Sequence, residues 1–549
     1  MGIEAANGLA RILKAEGVPW VSTFPTNGVN NALGEEGVPL VMMRDERYAV
    51  ALADAFSRVT NGNRIGVCTV MGGLNAAGLQ MAFGALAQAY EDGSPLLCIT
   101  DGVPVGATGT GRFDIADGLR AVTKWVGEID TPERVPEIMR RAFTHLRTGR
   151  PAPVLVTLPR RAGEYDEEDH PYAPVKGWRT APDPSDVRDA VGALLAAKKP
   201  LLYAGEGVLY AGATDELRRF AELAGLPVVT TLKAKSAIPE NHPLSAGTRG
   251  AAASKFVTEC DLLLAVGASL GPGHFGHAIP PGKTLVHCTI DQGDLNVMYE
   301  VHHAVIGDAK LTLQALIDEF TTQGGSAANG TVAAEIQAAR QEHAEEYGPL
   351  LKSDDVPINP YRVYGDLMKT LDMNNSFVTG DSGNTRDQLS TAYQPLIPRG
   401  FLGWGNVSTL GFGLAAAMAA KLAYPDRQCV NVTGEAGLSY MLGNMEPLVR
   451  HKVGVTTVHI SNGGFSGYGP GFWGGGHDPY THKVLGYDES NMAAALGEMG
   501  YYSERVTEPD EVVPALRRAL AKNAEGRPAY LEIICSQYPV YARFVGSGF

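Results

Sequence analysis

Two polar residues are spaced for metal chemistry. Glu435 stands in "VTGEAG", directly after an apolar, β-type run, and Asn462 stands in "HISNGG", 27 residues later, after the next such run. A strand, turn, helix and second parallel strand need about 30 residues. That spacing brings both side chains to one sheet edge. A carboxylate, an amide oxygen and a backbone carbonyl from the Asn-Gly-Gly turn make a hard-oxygen site of the kind that suits Mg²⁺ or Ca²⁺ completed by phosphate oxygens. Glycine lets backbone approach a phosphate, and a helix starting near Gly437 would aim its N–H groups at it. The same residues also read more plainly. An acid in a first helical turn complements the helix dipole, and Asn-Gly-Gly makes a turn. The pair alone leaves both readings open.

The elements that must position such a pair can be read along the chain. Strand-like runs such as "WVSTF", "RIGVCTV", "PLLCITD" and "APVLVTLP" alternate with helix-like segments, including 47–59 and 79–90. Short apolar strands alternating with helices imply parallel α/β sheets. The acidic, Pro-rich "AGEYDEEDHPYAPVKGWRTAPDPSD" reads as a linker, the alternation resumes near residue 185, and "TTQGGSAANGTVAAE" reads as a second linker. The expectation is three doubly wound parallel-sheet domains, over 1–165, 186–325 and 355–549. In such sheets ligands sit beyond the carboxyl ends of the strands. That singles out "VSTFPTNG", "CTVMGG", "VTGDSGN" and the 435/462 pair.

The composition agrees. Of 549 residues, 44% are hydrophobic and 19% charged, as in folded proteins. Sixty-six are Gly, without a repeat, which suits many tight strand-to-helix turns. The net charge of −14 argues against a nucleic-acid partner. The six Cys form no CxxC and sit mostly in apolar runs, so they read as reduced core thiols. The first 18 residues read as an amphipathic helix rather than a signal peptide, and "GFGLAAAMAA" is too short to span a bilayer. The expectation is a cytoplasmic protein with no membrane partner.

With these segments in view, the chain resembles the thiamin diphosphate enzymes. Their motif, GDG followed about two dozen residues later by NN, corresponds here to "GEAG…SNGG". The resemblance covers nearly the whole chain in order, through "RDERYAVALADAFSR", "GALAQAYEDGSPLLCITDGVP", "HPLSAGTRG", "DLLLAVGA" and "STLGFGLAAAMAAKLAYPDRQCVNVTGE". It is strongest to the acetolactate synthase and 2-oxo-acid decarboxylase branch.

The resemblance implies pyrimidine-binding, central and diphosphate-binding domains, and thiamin diphosphate with Mg²⁺ as cofactors. It makes Glu46 the acid that contacts the aminopyrimidine ring and relays a proton. Leu410 matches the apolar residue beneath the bent cofactor, and the Ser408 carbonyl the acceptor for its exocyclic amine. The diphosphate cradle falls on Gly380, Asp381, Ser382, Ala436 and Gly437 with Asn462. The metal ligands fall on Glu435, Asn462 and the Gly464 carbonyl. Without the resemblance, Glu46 is an early-helix acid and Leu410 a core leucine. The sequence also departs from the pattern. Glu435 replaces Asp, one methylene longer; Ala436 and Ser461 are also changed. Mg²⁺ demands near-ideal geometry, so the change implies weaker binding or preference for a larger ion.

On the substrate side, no His precedes His145, so the histidines of pyruvate decarboxylase-like enzymes have no counterpart. Asn27 in "STFPTNG" falls near the reacting carbon, Phe113 in "GRFDIAD" matches a family loop phenylalanine, and Tyr468 lies in an unusual aromatic loop. In "YAGEGVLYAG" a complete GxGxxG fails at Tyr210. Whether FAD, an adenine nucleotide or CoA binds the central domain is left open. The reading is a lyase or carboligase acting on a 2-oxo acid, with a homodimer or homotetramer whose sites join the first and last domains of different chains. Alternatives are a 2-hydroxyacyl-CoA lyase or oxalyl-CoA decarboxylase, for which an acyl-CoA would be the substrate, and a non-catalytic relative with an altered metal motif. A nucleotide-dependent oxidoreductase needs the complete fingerprint that is missing.

Overall fold

Parallel strands bury both faces, so their sequences run apolar with little alternation. In the computed structural model, which describes all residues except 1, 26–27, 75, 105–112, 272, 274, 328–329, 464–489 and 547–549, such runs form three six-stranded sheets. The first contains β1 (Val21–Thr23), β2 (Leu40–Met42), β3 (Gly66–Val70), β4 (Leu96–Asp101), β5 (Trp125–Glu128) and β6 (Val154–Leu158), in the order β2-β1-β3-β4-β6-β5. The second contains β7 (Pro200–Ala204), β8 (Val228–Thr230), β9 (Ser245–Gly247), β10 (Leu262–Val266), β11 (Thr284–Thr289) and β12 (His303–Ile306), in the order β9-β8-β7-β10-β11-β12. The third contains β13 (Ser376–Gly380), β14 (Phe401–Leu402), β15 (Gln428–Thr433), β16 (Thr456–Ser461), β17 (Tyr502–Val506) and β18 (Ala529–Ile534), in the order β14-β13-β15-β16-β18-β17. Every pairing within these sheets is parallel. The first and third sheets share one strand order; the second has the other doubly wound order.

Helices cover both faces. On β4, Leu97 and Ile99 pack with Leu9, Leu13, Ile138 and Phe143, while Leu96 and Cys98 pack with Leu79 and Leu86 on the opposite side. On β7, Leu202 and Ala204 face one core and Leu201 and Tyr203 the other. Fully burying such a side chain contributes about 1.5–3 kcal/mol. All six cysteines are buried, and none is in a disulfide.

The chain divides into two compact units. One comprises 1–179 with 418–423 and 442–451; the other comprises 180–417, 424–441 and 452–549, and so holds both the second and third sheets. Three segments differ from the sequence reading. Residues expected to start the first helix form a strand, Gly2–Glu4, which pairs antiparallel with Glu164–Asp166 inside the presumed linker. The buried Tyr165 side chain pulls that stretch onto the core. The second presumed linker runs into a helix, Val332–Tyr347, whose Ile336 and Ala339 complete the core under Val257 and Leu263.

Buried histidines make the second unit acid-sensitive. His277 accepts a hydrogen bond at Nδ1 from the Val545 N–H (3.0 Å), and its Nε2 lies 2.9 Å from the Thr248 carbonyl. Burial holds its pKa down to about 4, so the folded ring stays neutral. The unfolded state takes up a proton near pH 6.5, the folded state only near the lowered value, so stability is lost as pH falls through that window. Urea midpoints measured at pH 7 and pH 5 should show a loss of about 2 kcal/mol from this residue. His277→Gln should flatten that slope, and an unchanged slope would refute the assignment.

Candidate active site

The third sheet reverses its strand order between β13 and β15, and ligands of open α/β sheets bind at such a switch point. Three turns and one strand end meet there. After β13 comes Asp381, with its backbone N–H tied to the Val432 carbonyl at 2.7 Å. Its carboxylate is fully buried and accepts N–H bonds from Ser382 (2.8 Å), Gly411 (3.0 Å) and Gly413 (3.0 Å). Neither group of Asp381 therefore reaches outward; the side chain fastens the 403–413 loop to the sheet. That loop carries Ser408 and Leu410, both partly buried. The Ser408 hydroxyl lies 2.5 Å from that of Ser382 and accepts from Arg386 Nη1 at 2.8 Å. Gly380 ends β13, and its carbonyl accepts from Trp404 Nε1 at 2.5 Å.

After β15, the helix Glu435–Met441 begins at Glu435 itself. A Cβ at Gly437 would lie 2.4 Å from Thr433 Oγ1 and 2.8 Å from Asp381 Oδ1, so only glycine lets this first turn settle on the buried carboxylate. Ala436 occupies the turn between them.

Glu435 is buried, and its Oε1 accepts the backbone N–H of Asn462 at 2.7 Å. The register explains the meeting. Thr433 on β15 pairs with His459 on β16, so the two chain ends leave the sheet side by side. Asn462 Oδ1 is buried with no hydrogen-bond partner among the described residues. His459 Nε2 lies 3.9 Å from Glu435 Oε1. Burial lowers the His459 pKa to about 3, so its ring is neutral. Burial, and then the Glu435 charge, push the Cys535 thiol up.

The residues present fit a hard divalent cation. An orphaned buried amide oxygen beside a buried carboxylate wants a cation between them. Among the described residues no three His, Cys, Asp or Glu side chains cluster as a metal site. Such an ion, if bound by Glu435 and Asn462, would take its remaining ligands from backbone or ligand oxygens. Gly464, expected as the third ligand, lies outside the described residues, as do Asn27 and Tyr468.

Glu46 belongs to the other compact unit. It opens the helix Glu46–Val59, capped by the Asp45 side chain, which accepts from Tyr48 N. Glu46 is 8% exposed, and a Cβ at Gly78 would lie 2.6 Å from its Oε1. The turn is clamped from residues far along the chain. Arg44 N–H donates to Asn444 Oδ1 (2.9 Å), Asn444 Nδ2 donates to Asp45 Oδ2 (2.6 Å), and Arg44 pairs with Glu446 at 2.9 Å. Asn444 carries no local signal in the sequence. Gly28 is held by Asp101, whose Oδ1 accepts from its N–H at 3.1 Å and whose carboxylate pairs with Arg160. Phe113 packs its ring over Gly118 into the core of the first sheet, and Asp114 caps the short helix Ile115–Arg120.

In the second sheet the glycines of "YAGEG" have a packing role. A Cβ at Gly205 would lie 2.2 Å from the Gly267 carbonyl, and one at Gly207 2.8 Å from Gly267 Cα, so these turns after β7 and β10 touch backbone to backbone.

Three family profiles match in sequence order: "Thiamine pyrophosphate enzyme, N-terminal TPP binding domain" over residues 3–121, "central domain" over 187–316 and "C-terminal TPP binding domain" over 381–533. Among similar curated proteins, the acetolactate synthase large subunit of Parasynechococcus marenigrum is 31% identical, over 84% of this chain and 76% of its own length. The probable acetolactate synthase large subunit of Methanocaldococcus jannaschii is 29% identical over 97% and 92%. The glyoxylate carboligase of Escherichia coli O157:H7 is 27% identical over 97% and 93%. A chain with these three domains in this order, and with such likeness along its length, belongs to the thiamine pyrophosphate enzyme family, in its acetolactate synthase branch.

Proposed function

We propose that this chain is a Mg²⁺- and thiamin diphosphate-dependent carboligase that decarboxylates a 2-oxo acid and joins the remaining fragment to a carbonyl acceptor. The observation that carries the reading is the buried Glu435–Asn462 pair, with its orphaned amide oxygen, at the switch point of the third sheet. The membership supports a thiamin diphosphate enzyme of acetolactate synthase or glyoxylate carboligase type. It does not favour the CoA-lyase or non-catalytic readings.

Bound thiamin diphosphate supplies the electron sink for the charge left by decarboxylation. The chain's own residues position it. Glu435, Asn462 and the Gly464 carbonyl hold the metal; backbone around Gly380, Ser382, Ala436 and Gly437 faces the diphosphate; Leu410 and the Ser408 carbonyl fix the ring end. Glu46 relays a proton, and its shielded position at a capped helix start suits one defined hydrogen bond. Asn27, Phe113 and Tyr468 are assigned to the substrate side. The limits 1–165, 186–325 and 355–549 are proposed for the three domains. FAD or CoA in the central domain has no support from the packing of Gly205 and Gly207. Among the described residues no helix is long and apolar enough to cross a membrane. A cytoplasmic homodimer or homotetramer is the proposed assembly. Leu74, Met81, Phe83 and Tyr90 are exposed on or beside the helix Ala77–Glu91, apolar side chains that a second copy could cover.

Calorimetric titration of metal-stripped protein with thiamin diphosphate should show tight binding only with a divalent ion, and Glu435→Gln should weaken metal affinity at least tenfold. Equal binding without metal would remove the proposed site. With pyruvate or glyoxylate as substrate, Glu46→Gln should lose 10²-fold or more in kcat while the cofactor still binds. Normal turnover would exclude the proton relay. Sedimentation should show a dimer or larger, and Met81→Glu should shift it toward monomer; a monomeric, active wild type would overturn the assembly.

A further inference from the structure

We infer that His459 and Tyr530 form a positioning pair for Glu435, with the imidazole held as its Nε2–H tautomer toward the carboxylate. The inference rests on Glu435 being the metal ligand. His459 is 1% exposed, in the middle of the third sheet. Its Nδ1 lies 2.7 Å from the Tyr530 hydroxyl, across the β16–β18 pairing where Thr457 faces Tyr530 and His459 faces Glu532. Its Nε2 has no hydrogen-bond partner among the described residues and lies 3.9 Å from Glu435 Oε1.

A neutral imidazole carries one proton on either nitrogen. Placed on Nδ1, it would leave the Nε2 lone pair facing a buried carboxylate, two electron-rich groups opposed in a low dielectric. Placed on Nε2, it faces the carboxylate with a positive edge, and Nδ1 accepts from Tyr530. The carboxylate thus selects the tautomer, and the phenol holds it. At 3.9 Å the N–H orients the carboxylate by its dipole and does not bond to it directly. Such a partner matters here because a glutamate has one more rotatable bond to fix than an aspartate. Groups behind a metal ligand typically change metal affinity 10–100-fold.

The inference predicts that His459→Leu, with saturating thiamin diphosphate, binds Mg²⁺ 10–100-fold more weakly by calorimetry. Tyr530→Phe should weaken binding by less, and His459→Gln, which keeps an N–H near the Nε2 position, should restore most of it. Unchanged melting temperatures would separate positioning from folding. Histidine-selective ¹⁵N NMR of the metal-free protein should report the Nε2–H tautomer for His459. Wild-type-like affinity in His459→Leu, or an Nδ1–H tautomer, would overturn the inference. If wild type takes up no metal while His459 still shows the Nε2–H tautomer, the ligand reading of Glu435 fails but the pairing stands.

Discussion

The site depends on one buried carboxylate that faces inward. The Asp381 carboxylate accepts from the backbone N–H of Ser382, in its own turn, and from those of Gly411 and Gly413, in a loop some thirty residues on. Hydrogen bonds to a charged group contribute about 1.5–3 kcal/mol each, and losing them strands a charge in the interior. The same carboxylate sets the identity of Gly437, so it also fixes where the helix behind Glu435 begins. A change at Asp381 disturbs the loop bearing Ser408 and Leu410 together with the turn bearing Glu435.

Much of this was legible in the sequence, for physical reasons. Apolar runs between glycine-rich turns mark parallel strands, because buried strands cannot alternate. The spacing of Glu435 and Asn462 equals one strand–helix–strand step, and the register from Thr433 to His459 brings them together. What stayed hidden depends on distant residues. Asn444 clamps the turn before Glu46 across 400 positions, and no local pattern announces it. His459 reads as one polar residue in an apolar strand; only the third dimension puts Tyr530 behind it and Glu435 ahead of it. The resemblance put Asp381 in the diphosphate cradle, and no local pattern shows that its carboxylate turns inward to Gly411 and Gly413. The strand Gly2–Glu4 was masked by the helical pattern that follows it.

The replacement of aspartate by Glu435 gains a structural context. The Glu435 side chain reaches the Asn462 N–H and ties the two turns together. On β16 the buried His459 Nε2 lies 3.9 Å from the same carboxylate. The altered motif thus sits among buried neighbours of its own.

The clamp on Glu46 has a consequence for how the protein is made. The first compact unit is completed by residues 418–423 and 442–451, contributed from deep in the last third of the chain. At about 5–20 residues per second, Asn444 leaves the ribosome about 20 to 80 s after Arg44. Throughout that interval the nascent first sheet exists without the segment that secures its acidic turn. The turn that presents Glu46 takes its final form only after Asn444 has emerged, so termination before that point yields a chain with the acid present but unsecured.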